Sequence, residues 1–209
     1  GHSACAVIED DHDNIVETWF DQAQLTSSHK CEGADAAAQK STLDYKLTVK
    51  EIVDFASTVA YEDIEFILES RTLNMALAEE GLKGKYGLKV GYAINLSANK
   101  EVFGEDFLSY AMSLTAAASD ARMAGCTLAA MSNSGSGNQG ITVTMPVIAY
   151  SKKYGTDDER LARALVLSHL IAIHIKGYLG KLSALCGCVI ASTGSSCGLV
   201  YLRGGDYEQ

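Results

Sequence analysis

The run from Ser132 to Gly140 carries the side chains best suited to bind a small polar ligand. It consists of hydroxyl and amide side chains and three glycines, and it lies between two strongly apolar segments. Because glycine costs about 1 kcal/mol per helix position, the run is predicted to be irregular. Gly135, Gly137 and Gly140 are expected to allow positive φ and to bring backbone N–H groups close to a ligand. A plain tight turn between two buried helices fits the composition as well.

The residues after this run predict the start of a helix. Thr142 or Thr144 would cap it, Pro146 would lie in its first turn, and Gly155 would follow its end. A loop rich in N–H donors that leads into a helix N-terminus is a common way to bind an anion.

Three charged or titratable residues accompany the loop. Asp120 and Arg122 precede it and would form either a local ion pair at a helix end or contacts with a substrate, in which Arg122 could grip a carboxylate at two points. His169 lies four residues after Leu165 and four before Ile173, on the core-facing stripe of a helix that is apolar on nearly every side. That position suits either a hydrogen-bonded core histidine or a functional one.

The chain has six cysteines at uneven spacing. A chain of this length can build a large core without disulfides, so free or metal-ligating thiols and a cytoplasmic location are expected. For any one of these cysteines, a role as a small packing residue is the alternative.

The elements that must position these residues are mostly helices. Strands are predicted from Ser3 to Ile8 and from Ile15 to Phe20, around a polar turn. The residues from Asp21 to Lys40 are interpreted as a surface connection. We therefore predict a remnant of a β-containing domain in residues 1–40 and a helical domain in residues 41–209.

Within the helical domain, Thr48 and Glu51 predict a capping box at the first helix. A second capping box is predicted at Thr156 with Glu159. The other helices are expected at 61–80, 88–96, 105–121 and 181–202. The small residues at 115–119 suit close helix packing or space for a ligand. The predicted fold class is mainly α (α+β): a helical bundle-like domain preceded by a short β-hairpin.

Composition and charge narrow the possible partners. The chain has 209 residues, of which 47% are hydrophobic and 21% charged, as expected for a globular protein with ample core material. Its net charge of −9, without a basic cluster, argues against nucleic acid. The longest apolar run, at 162–175, is interrupted by polar residues, which argues against a membrane span. A homodimer stays possible.

Several segments resemble the L-cysteine desulfidase family, which belongs to the group of iron–sulfur L-serine dehydratase α chains. The main ones are Ala117-Ala-Ser-Asp-Ala-Arg-Met and Met131-Ser-Asn-Ser-Gly-Ser-Gly-Asn-Gln-Gly-Ile. Arg71-Thr-Leu-Asn-Met-Ala-Leu, Asp157-Asp-Glu-Arg-Leu-Ala-Arg and Leu182-Ser-Ala-Leu-Cys-Gly are also similar. The resemblance covers most of the chain. The family's proteins are considerably longer, so the chain resembles the middle of one.

The resemblance implies β-elimination without pyridoxal phosphate, from L-cysteine to pyruvate, ammonia and sulfide or from L-serine to pyruvate and ammonia. Such a reaction needs a base at the α-proton and a Lewis acid for the leaving group. The family's Lewis acid is a [4Fe–4S] cluster held by three cysteines, with one iron open. Cys186 falls at one ligand position, whereas Cys188 and Cys197 match none.

The resemblance also implies roles for the remaining candidates. The residues expected to hold the substrate's carboxylate and ammonium are Ser132, Asn133, Ser134, Gly135, Ser136, Gly137, Asn138, Gln139, Asp120 and Arg122. The resemblance does not identify the general base: His169 is considered for this role from its position in the helix, and a base outside this chain is the alternative. With one cluster ligand, the 209 residues alone are expected to hold no cluster and to be inactive. The alternatives are a non-catalytic amino-acid- or anion-binding module, and a structural fragment that needs a missing segment or a partner subunit.

Overall fold

The computed structural model describes residues 2–8, 15–21, 23–27, 47–179 and 186–208. The chain divides into two compact units, residues 1–46 and residues 47–209. The first unit contains a small antiparallel sheet and the second is helical, so the predicted fold class is confirmed.

The sheet of the first unit has three strands in the order β1 (Ala4–Ile8), β2 (Ile15–Phe20) and β3 (Ala23–Ser27). The two predicted strands are confirmed, and the polar turn between them lies outside the described residues. The third strand corrects the interpretation of Asp21 to Lys40 as a surface connection. Asp21, at φ 46°, turns the chain back at once, so the next residues pair with the open edge of β2. Residues 28–40 are outside the described part.

The second unit contains the helices that carry the candidate site. They are α1 (Val49–Thr58), α2 (Tyr61–Ile64), α3 (Glu69–Gly81), α4 (Val90–Asn95), α5 (Lys100–Phe103), α6 (Phe107–Met123), α7 (Gly137–Tyr154), α8 (Asp158–Leu179) and α9 (Gly187–Leu202). Short 3₁₀ turns lie at Glu65–Leu68 and Ser97–Asn99, so the helix predicted at 61–80 is interrupted. In the part of the chain that the structure describes, no helix combines the length and apolar character needed to cross a membrane.

Two helix caps follow local sequence rules. The capping box at α1 is confirmed: Glu51 N–H donates to Thr48 Oγ1 at 3.2 Å, and Thr48 N–H donates to the Glu51 carboxylate at 2.7 Å. At α8, the accepting side chain is Asp157, which receives the Arg160 N–H at 2.8 Å. The cap therefore lies one residue after the predicted Thr156, because a carboxylate at this position accepts as readily as a hydroxyl.

The predicted start of α7 at Thr142 or Thr144 is wrong. The helix begins at Gly137, with Ser136 as its cap, and Pro146 lies in its interior. The Thr142 and Thr144 hydroxyls donate to the carbonyls of Asn138 and Gly140, as threonines do within a helix. Residues 137–140 therefore form a regular first turn, and the irregular part of the loop is shorter than predicted.

Helices α7, α8 and α9 form the centre of this unit. A Cβ on Gly194 would lie 2.4 Å from Ser168 O of α8, and one on Gly198 would lie 2.9 Å from Val147 Cγ2 of α7. A Cβ on Gly187 would lie 3.0 Å from Gln139 Oε1. Because Gly187 meets Gln139 and Gly198 meets Val147, α9 runs parallel to α7. Both helices therefore begin at the same end of the unit.

Candidate active site

A tight turn ends the loop before α7. Asn133 N–H donates to Ser136 O at 3.1 Å, and Ser136 N–H donates to Asn133 O at 2.9 Å. Ser134 and Gly135 between them have φ 49° and 77°, both in the left-handed region of a type I′ turn. The expected positive φ is confirmed for Gly135. It is wrong for Gly137 and Gly140, because both lie in the first turn of α7.

Asn133 joins this turn to two helices. Its side chain is buried, and its Oδ1 accepts from Gln139 Nε2 at 2.6 Å and from Ser134 Oγ at 3.0 Å. Its Nδ2 lies 2.9 Å from His169 Nδ1 and donates to His169 O at 3.3 Å. The predicted loop residues Asn133 and Gln139 therefore meet the predicted His169 in one hydrogen-bonded network.

His169 is the buried end of this network. Only 8% of the residue is exposed, and its Nε2 has no hydrogen-bond partner among the described residues. Burial lowers the pKa of His169 to about 4, so the ring is neutral near pH 7. A buried polar atom without a partner is rare in folded proteins, so Nε2 is expected to bond a group outside the described residues, such as a ligand or water.

Cys186 lies beside the same network. It is the cap residue of α9 and is exposed, and the next residue, Gly187, closely approaches Gln139. The backbone N–H of Cys188, followed by its side chain, lowers the pKa of the Cys186 thiol. The N-terminus of a helix also lowers the pKa of a nearby thiol. Cys186 is therefore suited to bind a metal or an electrophile near the start of α7.

Asp120 and Arg122 do not form the ion pair considered from the sequence. Both residues are described, and no ion pair joins them: Asp120 Oδ2 accepts from Gly91 N–H at 3.1 Å, and Arg122 Nη1 donates to Asn138 Oδ1 at 3.1 Å. A Cβ on Gly137 would lie 2.3 Å from Arg122 Nε. The guanidinium thus lies against the first turn of α7, while Asp120 fixes the start of α4.

Asn74 belongs to the site but is not among the site residues predicted from the sequence. The residue is completely buried in α3; its Nδ2 donates to Thr144 Oγ1 at 2.7 Å, and its Oδ1 accepts from Met131 N–H at 3.0 Å. It thereby attaches the loop to α3 and α7. An amide on an otherwise apolar helix face is the signal that could have identified it.

The described residues do not by themselves fit a [4Fe–4S] cluster. No group of three His, Cys, Asp or Glu residues suited to a metal ion occurs among them. Cys188 is exposed two residues after Cys186, and Cys197 is partly buried among apolar side chains. Among the described residues, Cys186 is therefore not part of a group of three candidate ligands.

Comparison with known proteins identifies the family. A family model described as serine dehydratase alpha chain matches residues 13–209. The chain belongs to the serine dehydratase alpha chain family. This confirms the resemblance noted in the sequence.

Several known proteins that resemble this chain carry the name UPF0597 protein. The chain is 47% identical over 209 residues to one from Oleidesulfovibrio alaskensis, 45% identical over 210 residues to one from Phocaeicola vulgatus, and 46% identical over 209 residues to one from Aeromonas hydrophila. Each match covers 100% of this chain but 48% of the relative, so the chain spans about half the length of these relatives. No solved structure matches.

Proposed function

We propose that the protein to which this chain contributes is a lyase of amino acid catabolism. Its reaction would be a β-elimination without pyridoxal phosphate, on L-cysteine (to pyruvate, ammonia and sulfide) or on L-serine (to pyruvate and ammonia). The family assignment supports a dehydratase-type lyase. The observation that carries the proposal is the meeting of Asn133, Gln139 and His169 beside Cys186, where α7 and α9 begin.

The start of α7 is the proposed binding place for the substrate's carboxylate. Backbone N–H groups and the helix dipole favour an anion there, and Arg122 lies against the same turn. The exposed hydroxyls of Ser132 and Ser134 and the amide oxygen of Asn138 are acceptors that suit the ammonium group. We propose that Asp120 acts on this site indirectly. Its hydrogen bond to Gly91 N–H holds the start of α4 against α6, the helix that carries Arg122.

We assign Cys186 as one thiolate ligand of a [4Fe–4S] cluster in the longer protein, with the other ligands outside the described residues. Such a cluster would supply a Lewis acid for the leaving sulfur or oxygen. The five described cysteines are free thiols, which supports a reducing compartment such as the cytoplasm.

The proposal is tested on the full-length protein, purified without oxygen. We expect iron, acid-labile sulfide and pyruvate formation from L-cysteine or L-serine. Cys186→Ser should lose iron and activity, whereas the matched Cys188→Ser should keep both, since Cys188 is assigned no ligand role. Amino-acid binding without pyruvate would favour the non-catalytic binding module. For the 209 residues alone we predict neither cluster nor activity, and stoichiometric iron and sulfide would contradict this.

A second candidate function, association with a further segment, is favoured by an apolar groove between α6 and α9. The groove has a volume of about 430 Å³ and includes Ala116 and Ser192. Leu108 and Met112 on its wall are 63% and 44% exposed. Ala117, on the opposite side of α6, is completely buried, which shows that this side is closely packed. The small residues of α6 thus serve packing on one side and form an open surface on the other.

We propose that the groove receives part of the longer polypeptide, about half of which lies outside this chain in the relatives. The test is to mix the chain with the remaining part of the full-length protein, produced separately. Leu108→Glu combined with Met112→Glu should weaken the complex without unfolding the chain, and Phe66→Glu, at an exposed residue outside the groove, should not. Equal association of both variants would exclude this docking surface.

A further inference from the structure

The hydrogen bonds around Asn133 determine which ring nitrogen of His169 carries the proton. One of the two terminal atoms of the Asn133 side-chain amide lies 3.3 Å from the backbone carbonyl oxygen of His169. A carbonyl oxygen can only accept, so the atom facing it must be the NH₂ nitrogen. The same nitrogen lies 2.9 Å from His169 Nδ1. Nδ1 must therefore accept, and in the neutral ring the hydrogen is on Nε2.

Contacts on the other side of Asn133 agree with this orientation. Its Oδ1 receives the Gln139 Nε2–H at 2.6 Å and the Ser134 hydroxyl at 3.0 Å. Two donors at Oδ1 and two acceptors at Nδ2 leave one consistent arrangement of the amide. The loop residue Ser134 and the α7 residue Gln139 therefore hold Asn133 in the orientation that fixes the tautomer of His169.

This arrangement does not suit a general base. A base needs a free lone pair directed at the proton that it removes. The Nδ1 lone pair of His169 is occupied by Asn133, and Nε2 already carries a hydrogen. Instead, Nε2–H is a donor that lacks an acceptor among the described residues.

We infer that His169 is a neutral hydrogen-bond donor whose Nε2–H binds a carboxylate oxygen of a small organic acid, and that Asn133 is the positioning residue that holds the required tautomer. This rests on the proposed function, in which the acid is the amino-acid substrate. Of the groups of such a substrate, the ammonium only donates, a sulfur accepts weakly and a hydroxyl accepts as a neutral group, whereas the carboxylate is charged and accepts at both oxygens. A neutral donor in a buried site binds an anion without bringing a second charge out of water.

The first experiment determines the tautomer in the 209-residue chain by ¹⁵N NMR with labelled histidine. At pH 7 we expect the His169 Nε2 signal to be pyrrole-like, with its attached hydrogen, and the Nδ1 signal to be pyridine-like. Asn133→Asp replaces the donor with acceptors of the same size and should move the hydrogen to Nδ1. A pyridine-like Nε2 in the unmodified chain would overturn the inference.

The second experiment compares His169→Gln with His169→Asn in the full-length protein. The longer glutamine places an NH₂ donor near the position of Nε2, whereas asparagine reaches only as far as Nδ1. For pyruvate binding measured by calorimetry, we expect the glutamine variant to stay within about threefold of the unmodified protein. The asparagine variant should bind about tenfold to hundredfold more weakly, as for the loss of a hydrogen bond to a charged group. Circular dichroism checks that both variants are folded.

The outcomes separate this inference from the proposed function. Pyruvate that does not bind, or binds equally to all three proteins, overturns the donor role. Loss of kcat in both variants with unchanged KM and unchanged pyruvate binding would assign a base and likewise overturn it. If pyruvate binding depends on His169 as expected but neither L-cysteine nor L-serine is converted, the donor role stands and the lyase reaction fails.

Discussion

Two buried asparagines attach the same loop to the helical unit, and they differ in where their hydrogen bonds end. Asn74 bonds Met131 N–H and Thr144 Oγ1, and Thr144 in turn donates to Gly140 O, so its chain of bonds closes on the backbone. Asn133 bonds Gln139 and His169, and its chain of bonds ends at Nε2 of His169, which has no partner in the part of the chain that the structure describes.

The difference separates a structural network from a functional one. A closed network stabilises the fold, and removing one member leaves its partners buried and unpaired. A network with an open end leaves a buried donor unsatisfied, which proteins tolerate mainly where a ligand or water completes it. The Asn133 side also contains backbone in the left-handed region at Ser134 and Gly135, whereas no such backbone occurs in α3. We therefore expect substitutions in the Asn74 network to change mainly the stability of the fold, and substitutions in the Asn133 network to change mainly ligand binding.

Asn74→Ala should give the largest loss of stability. It leaves the Met131 N–H and the Thr144 hydroxyl without one partner each in a buried place, and two such groups cost about 4 kcal/mol in the free energy of unfolding. Urea denaturation measures the loss. Asn95→Ala, at an exposed position, is the control and should have little effect. Similar losses in the free energy of unfolding for both variants would contradict the structural role of the Asn74 network.

Gly81→Ala tests the packing of the Asn74 side. A Cβ on Gly81, the last residue of α3, would lie 1.9 Å from Ala117 O, so α3 and α6 must separate. We expect a loss of about 3 kcal/mol in the free energy of unfolding. The matched Gly177→Ala, at a helical glycine with open space around it, should instead gain up to about 1 kcal/mol.

The pH dependence of stability tests the open end of the Asn133 network. The pKa of His169 is lowered from 6.5 to about 4 on folding, so between these values the unfolded chain binds a proton that the folded chain does not. Stability should therefore fall as the pH decreases from 6.5 toward 4. From pH 7 to pH 4.5, the unmodified chain should lose about 2 kcal/mol more than His169→Leu, measured by urea denaturation at each pH. Parallel pH profiles would show that His169 titrates normally.

Gly135→Ala should have the smallest effect. The residue has φ 77° but no atom within 4 Å of an added Cβ, so the cost is one of backbone conformation alone, about 1 kcal/mol. Thermal unfolding of Gly135→Ala, compared with that of Gly177→Ala, measures this cost. A loss as large as that of Gly81→Ala would mean that the turn is held by packing, as on the Asn74 side.

The features that follow from neighbouring residues could be predicted from the sequence. The Thr48–Glu51 capping box, the two first strands and the mainly helical class all depend on short-range patterns. The loop residues Asn133 and Gln139 and the helical His169 were identified as candidates from their chemical types.

The remaining features depend on contacts between distant parts of the chain. The role of Asn74 requires Met131 and Thr144, which lie 57 and 70 residues away. The sequence predicts too late a start for α7, because Thr142 resembles a cap and only the structure shows that its hydroxyl bonds back to Asn138 O. The tautomer of His169 depends on an amide 36 residues earlier, which no periodicity reveals.

The parallel course of α7 and α9 has a consequence for energetics. Their macrodipoles point the same way, so two positive ends are held side by side and repel each other in every folded molecule. An anion bound at that end offsets a repulsion that the fold already contains. Affinity for the anion and cohesion of the helical unit should therefore rise and fall together.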